Sequence, residues 1–150
     1  MEKLTKPDYE LLARFRYSLR LFLRFSEQVA SSHGLTPQQY QALLAIEGYP
    51  GRNRVTVREL AEQLLIAHHS AGGLVDRLEA TGLVCRKPCT KDRRQVWVSL
   101  TRRGAGTLEK LYRIHRRELA AIGPGLAEML QVASQEMPDE GAGWSANSPR

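Results

Sequence analysis

From Asp8 to about Ser32 apolar residues recur at three- and four-residue steps, and Leu12, Phe15, Leu19, Phe22, Phe25 and Val29 fall on one stripe. That spacing is the helical period. Arg14, Arg16, Arg20 and Arg24 lie largely off the stripe, and Asp8 and Glu10 suit the positive end of the helix dipole. A helix this long has more apolar surface than one small core covers, so a partner helix from a second copy is expected. His33-Gly34 closes it, with Gly34 as a left-handed cap. Thr36-Pro37-Gln38-Gln39 opens the next helix: Thr36 caps, Pro37 suits the first turn and Gln39 completes a capping box. Tyr40, Leu43, Leu44 and Ile46 form its expected buried side. It ends by Gly48, before the Tyr49-Pro50-Gly51 turn and a polar Arg52-Asn53-Arg54 loop.

A second capping box, Thr56 to Glu59, starts a short helix with Leu60, Ala61, Leu64 and Leu65 expected to face inward. At that length it requires packing on neighbours. The next helix spans roughly His68 to Thr81, with Leu74, Val75 and Leu78 inward and Gly82 as its stop. Then the period changes. Val96, Val98 and Leu100 alternate with Trp97 and Ser99, predicting strands at Leu83–Lys87 and Gln95–Leu100 around a polar tip, Pro88–Arg94. Thr101 caps a long helix through Leu108, Leu111, Ile114, Leu119 and Ile122. Gly123-Pro124-Gly125 predicts a break, with a short last helix from Leu126 to about Gln135. From Met137 onward Pro, Gly, Ser and Asn dominate and predict a disordered tail. The expected fold class is mainly α with a small β-hairpin wing.

At 150 residues the chain is expected to form one domain. A net charge of +6 and a pI near 9.7 favour an anionic partner, nucleic acid or a membrane surface. No run reaches the roughly 18 apolar residues of a membrane span, and the polar start Met1–Asp8 does not read as a leader. A cytoplasmic protein without membrane association is expected. Cys85 and Cys89 make no disulfide framework. Cys85 reads as a strand residue and Cys89 as an exposed loop thiol beside a basic turn, where neighbouring cations favour a reactive thiolate. A cysteine-based redox-responsive regulator is therefore one alternative. His68-His69 with the two cysteines does not make a metal site, because adjacent helical residues point about 100° apart. No phosphate loop, nucleophile elbow or paired carboxylates are present, so neither an enzyme nor a cofactor is expected.

Leu35-Thr36-Pro37-Gln38-Gln39, Glu59-Leu60-Ala61, Leu74-Val75-Asp76-Arg77-Leu78-Glu79 with Gly82-Leu83-Val84, Asp92-Arg93-Arg94 and Leu100-Thr101-Arg102-Arg103-Gly104 occur in that order. Together they resemble the MarR (multiple antibiotic resistance regulator) family of winged helix-turn-helix transcriptional regulators over roughly Pro7 to Gln135. The resemblance implies a homodimer with interlocked terminal helices (5–35 and 102–136), a winged DNA-binding region (36–101) and a near-palindromic double-stranded operator. In a helix-turn-helix the start of the second helix meets base edges, which here means His68, His69, Ser70 and Ala71. Arg77 is expected to meet phosphate or to pair with Asp76. At the wing Lys91, Arg93 and Arg94 are the DNA-contacting cations, with Arg93 or Arg94 entering the minor groove and Asp92 orienting an arginine. Gly72-Gly73 departs from the family pattern: each glycine costs about 0.5–1 kcal/mol against alanine, and the pair removes two base-reading side chains. The family also implies a small amphipathic or aromatic effector, for which Phe22, Phe25, His33, Tyr40 and Tyr112 are candidates, and repression relieved by that effector. A DNA-independent interaction module retaining the fold is the alternative from a different class.

Overall fold

A computed structural model describes residues 3–92 and 94–135, so the expected tail from 137 lies outside the described residues. Five helices and three strands follow in the order α1 (Lys6–Ser32), α2 (Pro37–Glu47), β1 (Arg54–Val55), α3 (Val57–Leu64), α4 (His68–Ala80), β2 (Val84–Pro88), β3 (Val96–Leu100) and α5 (Arg102–Gln135). The described chain falls into two compact units, one of residues up to Leu21 with those from Leu119, the other Phe22–Glu118.

The larger unit holds the winged helix. Both capping boxes form: Thr36 and Thr56 each accept the backbone N–H three residues on, and Gln39 and Glu59 answer the cap residue's own N–H. Leu43, Ile46, Val55, Leu60, Leu74, Val75, Leu78, Val98 and Leu111 are buried together as its core. Gly34 and Gly82 adopt φ +75° and +73°, the left-handed turns that stop α1 and α4. The α4–β2 turn is tied to the start of α5. The Thr101 hydroxyl donates to Gly82 O at 2.6 Å, and the Thr101 N–H donates to Leu83 O at 3.0 Å. A Cβ on Gly104 would lie 2.0 Å from Leu83 O, so α5 approaches that turn through a glycine.

Four expectations are corrected. The Arg52–Arg54 loop ends in a strand, β1, and the sheet has three strands in the order β1-β3-β2 rather than two. Only two residues pair there, Arg54 with Ser99 and Val55 with Val98, too few to leave an alternating pattern. Leu65 does not face the core; it is 92% exposed at φ 54°, where the chain reverses between α3 and α4. Leu44 is 42% exposed, because the buried side of α2 is Tyr40, Ala42, Leu43 and Ile46.

The fourth correction is α5, which runs unbroken through Pro124. Proline removes one backbone hydrogen bond and crowds the preceding turn. Strong helix formers on either side, Glu118-Leu119-Ala120-Ala121 and Leu126-Ala127-Glu128-Met129-Leu130, carry the helix across it. Leu12, Tyr17 and Leu19 on α1, and Leu119, Leu130 and Val132 on α5, stay exposed.

Candidate nucleic-acid interface

Helix α4 sorts its residues by period. Ala71, Leu74, Val75 and Leu78 are buried, which leaves His68, His69, Ser70, Gly72, Gly73, Asp76 and Arg77 toward the open side. Ala71 is fully buried and belongs to the core, so its side chain drops out of the base-facing set. His68, His69 and Ser70 are exposed in the first turn, where free backbone N–H groups and the positive dipole end favour an anion.

A Cβ on Gly72 would meet nothing within 4 Å, and one on Gly73 would meet Arg77 Nη1 at 3.5 Å. The two glycines therefore leave a bare stretch of helix, and Arg77 lies back across part of it. The expected pairing of Arg77 with Asp76 does not form, because Asp76 is taken by Arg86.

Arg86, on β2, was not singled out from the sequence. Its Nη2 lies 2.7 Å from Asp76 Oδ1, its Nη1 donates to Glu79 Oε1 at 3.2 Å, and Nη2 also lies 3.4 Å from Gly72 O. The Arg86 backbone N–H donates to Glu79 Oε2 at 3.1 Å. One strand residue thus grips three points along the recognition helix. The usable signal was an arginine on the wing strand set against acids at i and i+3 on a helix.

At the wing tip Asp92 Oδ1 accepts the Arg94 backbone N–H at 3.0 Å, and Asp92 O accepts from the Gln95 N–H at 3.0 Å. Asp92 therefore shapes the turn through the backbone. Lys91 and Arg94 are exposed; Arg93 lies outside the described residues. Cys89, expected as an exposed thiol, is buried at the base of the tip. The N–H groups of Asp92 and Lys91, and to a lesser extent Trp97 and Arg54, hold its thiol below the ordinary value.

Behind the wing, Arg52 forms a bidentate ion pair with Glu59 and stacks on Tyr49, its guanidinium carbon 4.3 Å from the ring centroid. Burial pushes the Glu59 carboxyl up, but hydrogen bonds from Arg52, Tyr49 and Thr56 outweigh it and hold the group at about 2.

The effector candidates separate. Phe22 and Phe25 meet the edge of His115 at 6.1 and 5.8 Å between centroids, while Tyr40 stacks on it at 4.7 Å. His115 is 4% exposed; its Nδ1 lies 2.8 Å from Leu111 O and its Nε2 2.8 Å from Ser26 Oγ. Since a carbonyl can only accept, Nδ1 carries a proton and donates it to Leu111 O. The imidazole fills the space these aromatics would offer a ligand. It was missed, although Leu108, Leu111 and His115 share helical spacing. His33 and Tyr112 do not join the cluster: His33 bonds back to Val29 O at 2.9 Å and Tyr112 is half exposed. An open concavity of about 790 Å³ lies instead where α1 ends and α2 begins, lined by Glu27, Gln28, Ser31, Leu35 and Pro37 among others. Among the described residues no group of three His, Cys, Asp or Glu could hold a metal ion.

A helix-turn-helix backed by a small antiparallel sheet defines a winged-helix protein, a DNA-binding class. A MarR family profile matches residues 33–95. The chain is 29% identical to the transcriptional repressor MdtR of Bacillus subtilis, the match covering 85% of this chain and 84% of that one. It is also 29% identical to the transcriptional activatory protein BadR of Rhodopseudomonas palustris, covering 73% and 69%. Among solved structures, a MarR family protein from Bacillus stearothermophilus superposes with a TM-score of 0.72 at 24% identity, covering 91% of this chain and 99% of that one. NadR in complex with 4-hydroxyphenylacetate superposes with a TM-score of 0.68 at 22% identity, covering 90% and 92%. In profile, sequence and fold the chain is similar to the MarR family of DNA-binding transcriptional regulators, which are not enzymes. Among the described residues no helix is long and apolar enough to cross a membrane.

Proposed function

We propose that this chain acts in the cytoplasm as a homodimeric regulator that reads a near-palindromic double-stranded operator and represses until a small amphipathic or aromatic molecule releases it. The observation that carries the reading is the exposed first turn of α4 joined rigidly to a cationic wing by Arg86. In this reading residues 36–101 bind DNA. His68, His69 and Ser70 face base edges, Arg77 and Lys91 meet phosphate, and Arg93 or Arg94 enters the minor groove with Asp92 orienting an arginine. Residues 5–35 and 102–136 supply the dimer contact, which exposed Leu12, Tyr17, Leu19, Leu119 and Leu130 support. Two-fold symmetry then sets the recognition helices about 34 Å apart, one DNA turn. A repressor fits a bound dimer that occludes a promoter and the name of one relative, MdtR.

Selection from random DNA followed by salt-titrated binding tests the core of this reading. A selected palindrome bound with a steep negative salt slope is expected, because phosphate contacts release counterions. Absent or salt-insensitive binding favours the DNA-independent interaction module. Leu12→Asp with Leu19→Asp is expected to give monomers by sedimentation, and a persistent dimer rejects the assigned interface. The NadR complex supports an aromatic acid as the effector class. Titration with 4-hydroxyphenylacetate and related phenolic acids is expected to release DNA from the wild type. A ligand among Phe22, Phe25 and Tyr40 must stack beside His115 or displace it, so His115→Phe is expected to change that response.

A second reading rests on Cys89. In this reading Cys89, whose thiol is held below its ordinary value, reacts as the thiolate with a hydroperoxide, forming a sulfenic acid and releasing an alcohol, at the base of the wing proposed to contact DNA. Cumene hydroperoxide is expected to release DNA from wild type but not from Cys89→Ser. Equal release from both removes this reading.

A further inference from the structure

The register of the sheet puts a second set of cations on its other face. In an antiparallel pair, directly opposed residues share a face. Lys87 opposes Trp97, while Arg54 and Cys85 both oppose Ser99. Arg54, Trp97, Ser99, Lys87 and Cys85 therefore lie on one face, opposite to Val55, Val98 and Arg86. The Arg54 guanidinium sits over the Trp97 ring at 4.6 Å, and Arg52 lies 4.9 Å from the same centroid. These are cation–π distances. Arg52 has its counter-charge in Glu59. Arg54 and Lys87 are exposed, and among the described residues no carboxylate pairs with either.

We propose that the Arg54–Trp97–Lys87 row across β1, β3 and β2 is a second DNA-contacting surface, which takes the sugar–phosphate backbone of the duplex flanking the recognition-helix contact. It rests on the DNA-binding reading above and adds residues to it. Charge complementarity names the occupant: Arg54 and Lys87 flank an indole, and among the described residues neither pairs with a carboxylate. Stacking on Trp97 restrains the long Arg54 side chain before binding, so less side-chain entropy is lost when a phosphate arrives. All five guanidinium N–H donors remain available in such a stack. Because the row presents cations rather than a pattern of donors and acceptors matched to bases, its contribution is independent of sequence. A second copy of the chain is the competing occupant.

The test compares wild type, Arg54→Gln, Lys87→Gln and the double variant. The DNA is a selected site extended by one helical turn on each side, titrated with salt. Each single change is expected to lower the magnitude of the log K against log salt slope by about 0.9, and the double by about 1.8. The same loss is expected on a scrambled duplex, and trimming the flanks is expected to bring wild type toward the variants. Lys87 is exposed, so its variant serves should Arg54→Gln perturb the sheet; dichroism checks both. A steep wild-type slope with unchanged variant slopes overturns this proposal while the DNA-binding reading stands. Wild type without salt-dependent binding overturns both. A change in sedimentation in place of a change in slope assigns the row to a subunit contact and also overturns it.

Discussion

Arg86 of β2 holds Asp76 of α4 at 2.7 Å, and the same guanidinium reaches Glu79 and the Gly72 carbonyl. Wing and recognition helix thus share one rigid link. The pairs are partly exposed, so Arg86→Ala is expected to cost only about 1 kcal/mol of stability. Operator affinity is expected to fall tenfold or more, because the two proposed DNA contacts, α4 and the wing, lose their fixed separation. Arg86→Lys restores only part of it, since one ammonium cannot reproduce the planar fork. Binding titrations beside chemical unfolding check this; an affinity loss no larger than that of a distant surface arginine rejects the link.

Two glycines with opposite surroundings make a paired prediction. At Gly104 a Cβ would lie 2.0 Å from Leu83 O, whereas at Gly72 it would meet nothing within 4 Å. Gly104→Ala is expected to lose at least about 3 kcal/mol or fail to fold, as backbone must shift. Gly72→Ala is expected to gain about 0.5–1 kcal/mol through helix propensity. Urea unfolding of both decides it, and similar effects from the two would contradict the geometry.

Glu59 titrates at about 2 in the folded chain against an ordinary value near 4.5. A lowered folded pKa gives stability that is present above the unfolded value and lost as pH falls through the folded one. Stability is therefore expected to drop between about pH 5 and pH 2, by on the order of 3 kcal/mol from this group. In Glu59→Gln that portion of the acid dependence disappears and the protein is less stable at pH 7. Thermal melts across the range measure it, and equal acid slopes in both proteins would count against the Arg52–Glu59 pair.

Leu65 occupies the left-handed region at φ 54° with its side chain 92% exposed. A non-glycine residue there costs about 1–2 kcal/mol, and little packing offsets it. Leu65→Gly is expected to be neutral or stabilising by up to about 1 kcal/mol, and to leave DNA binding intact. A loss above 1 kcal/mol would mean that Leu65 packs against a partner.

Much of the fold was legible because its signals are local. Thr36 with Gln39 and Thr56 with Glu59 declared helix starts, Gly34 and Gly82 declared stops, and Val96, Val98 and Leu100 declared a strand. The errors came where local signals met a tertiary demand. Pro124 reads as a break, yet strong helix formers on both sides carry α5 past it. Leu65 continues the apolar spacing of α3, yet the chain must reverse there. Residues 54 and 55 pair with β3 over too short a length to leave a period. In the candidate site, the exposed first turn and the wing cations came from motif and period. Ala71 was misassigned because a small residue beside Ser70 carries no mark of the side it faces.

The sequence by itself determined the helix starts at Thr36 and Thr56, the stops at Gly34 and Gly82 and the two hydrophobic periods, since each depends on residues within a turn or two of one another; the basic character and the motif order that resembles the MarR family follow from composition and order along the chain. Tertiary structure alone decided that Arg86 bridges 10 residues back to Asp76, that His115 closes the aromatic cluster, that Cys89 is buried, and that Arg54, Trp97 and Lys87 share one face. Those relationships join segments far apart along the chain. Which carboxylate an arginine finds, or which ring a cation covers, depends on strand register and helix packing, and no local pattern encodes either.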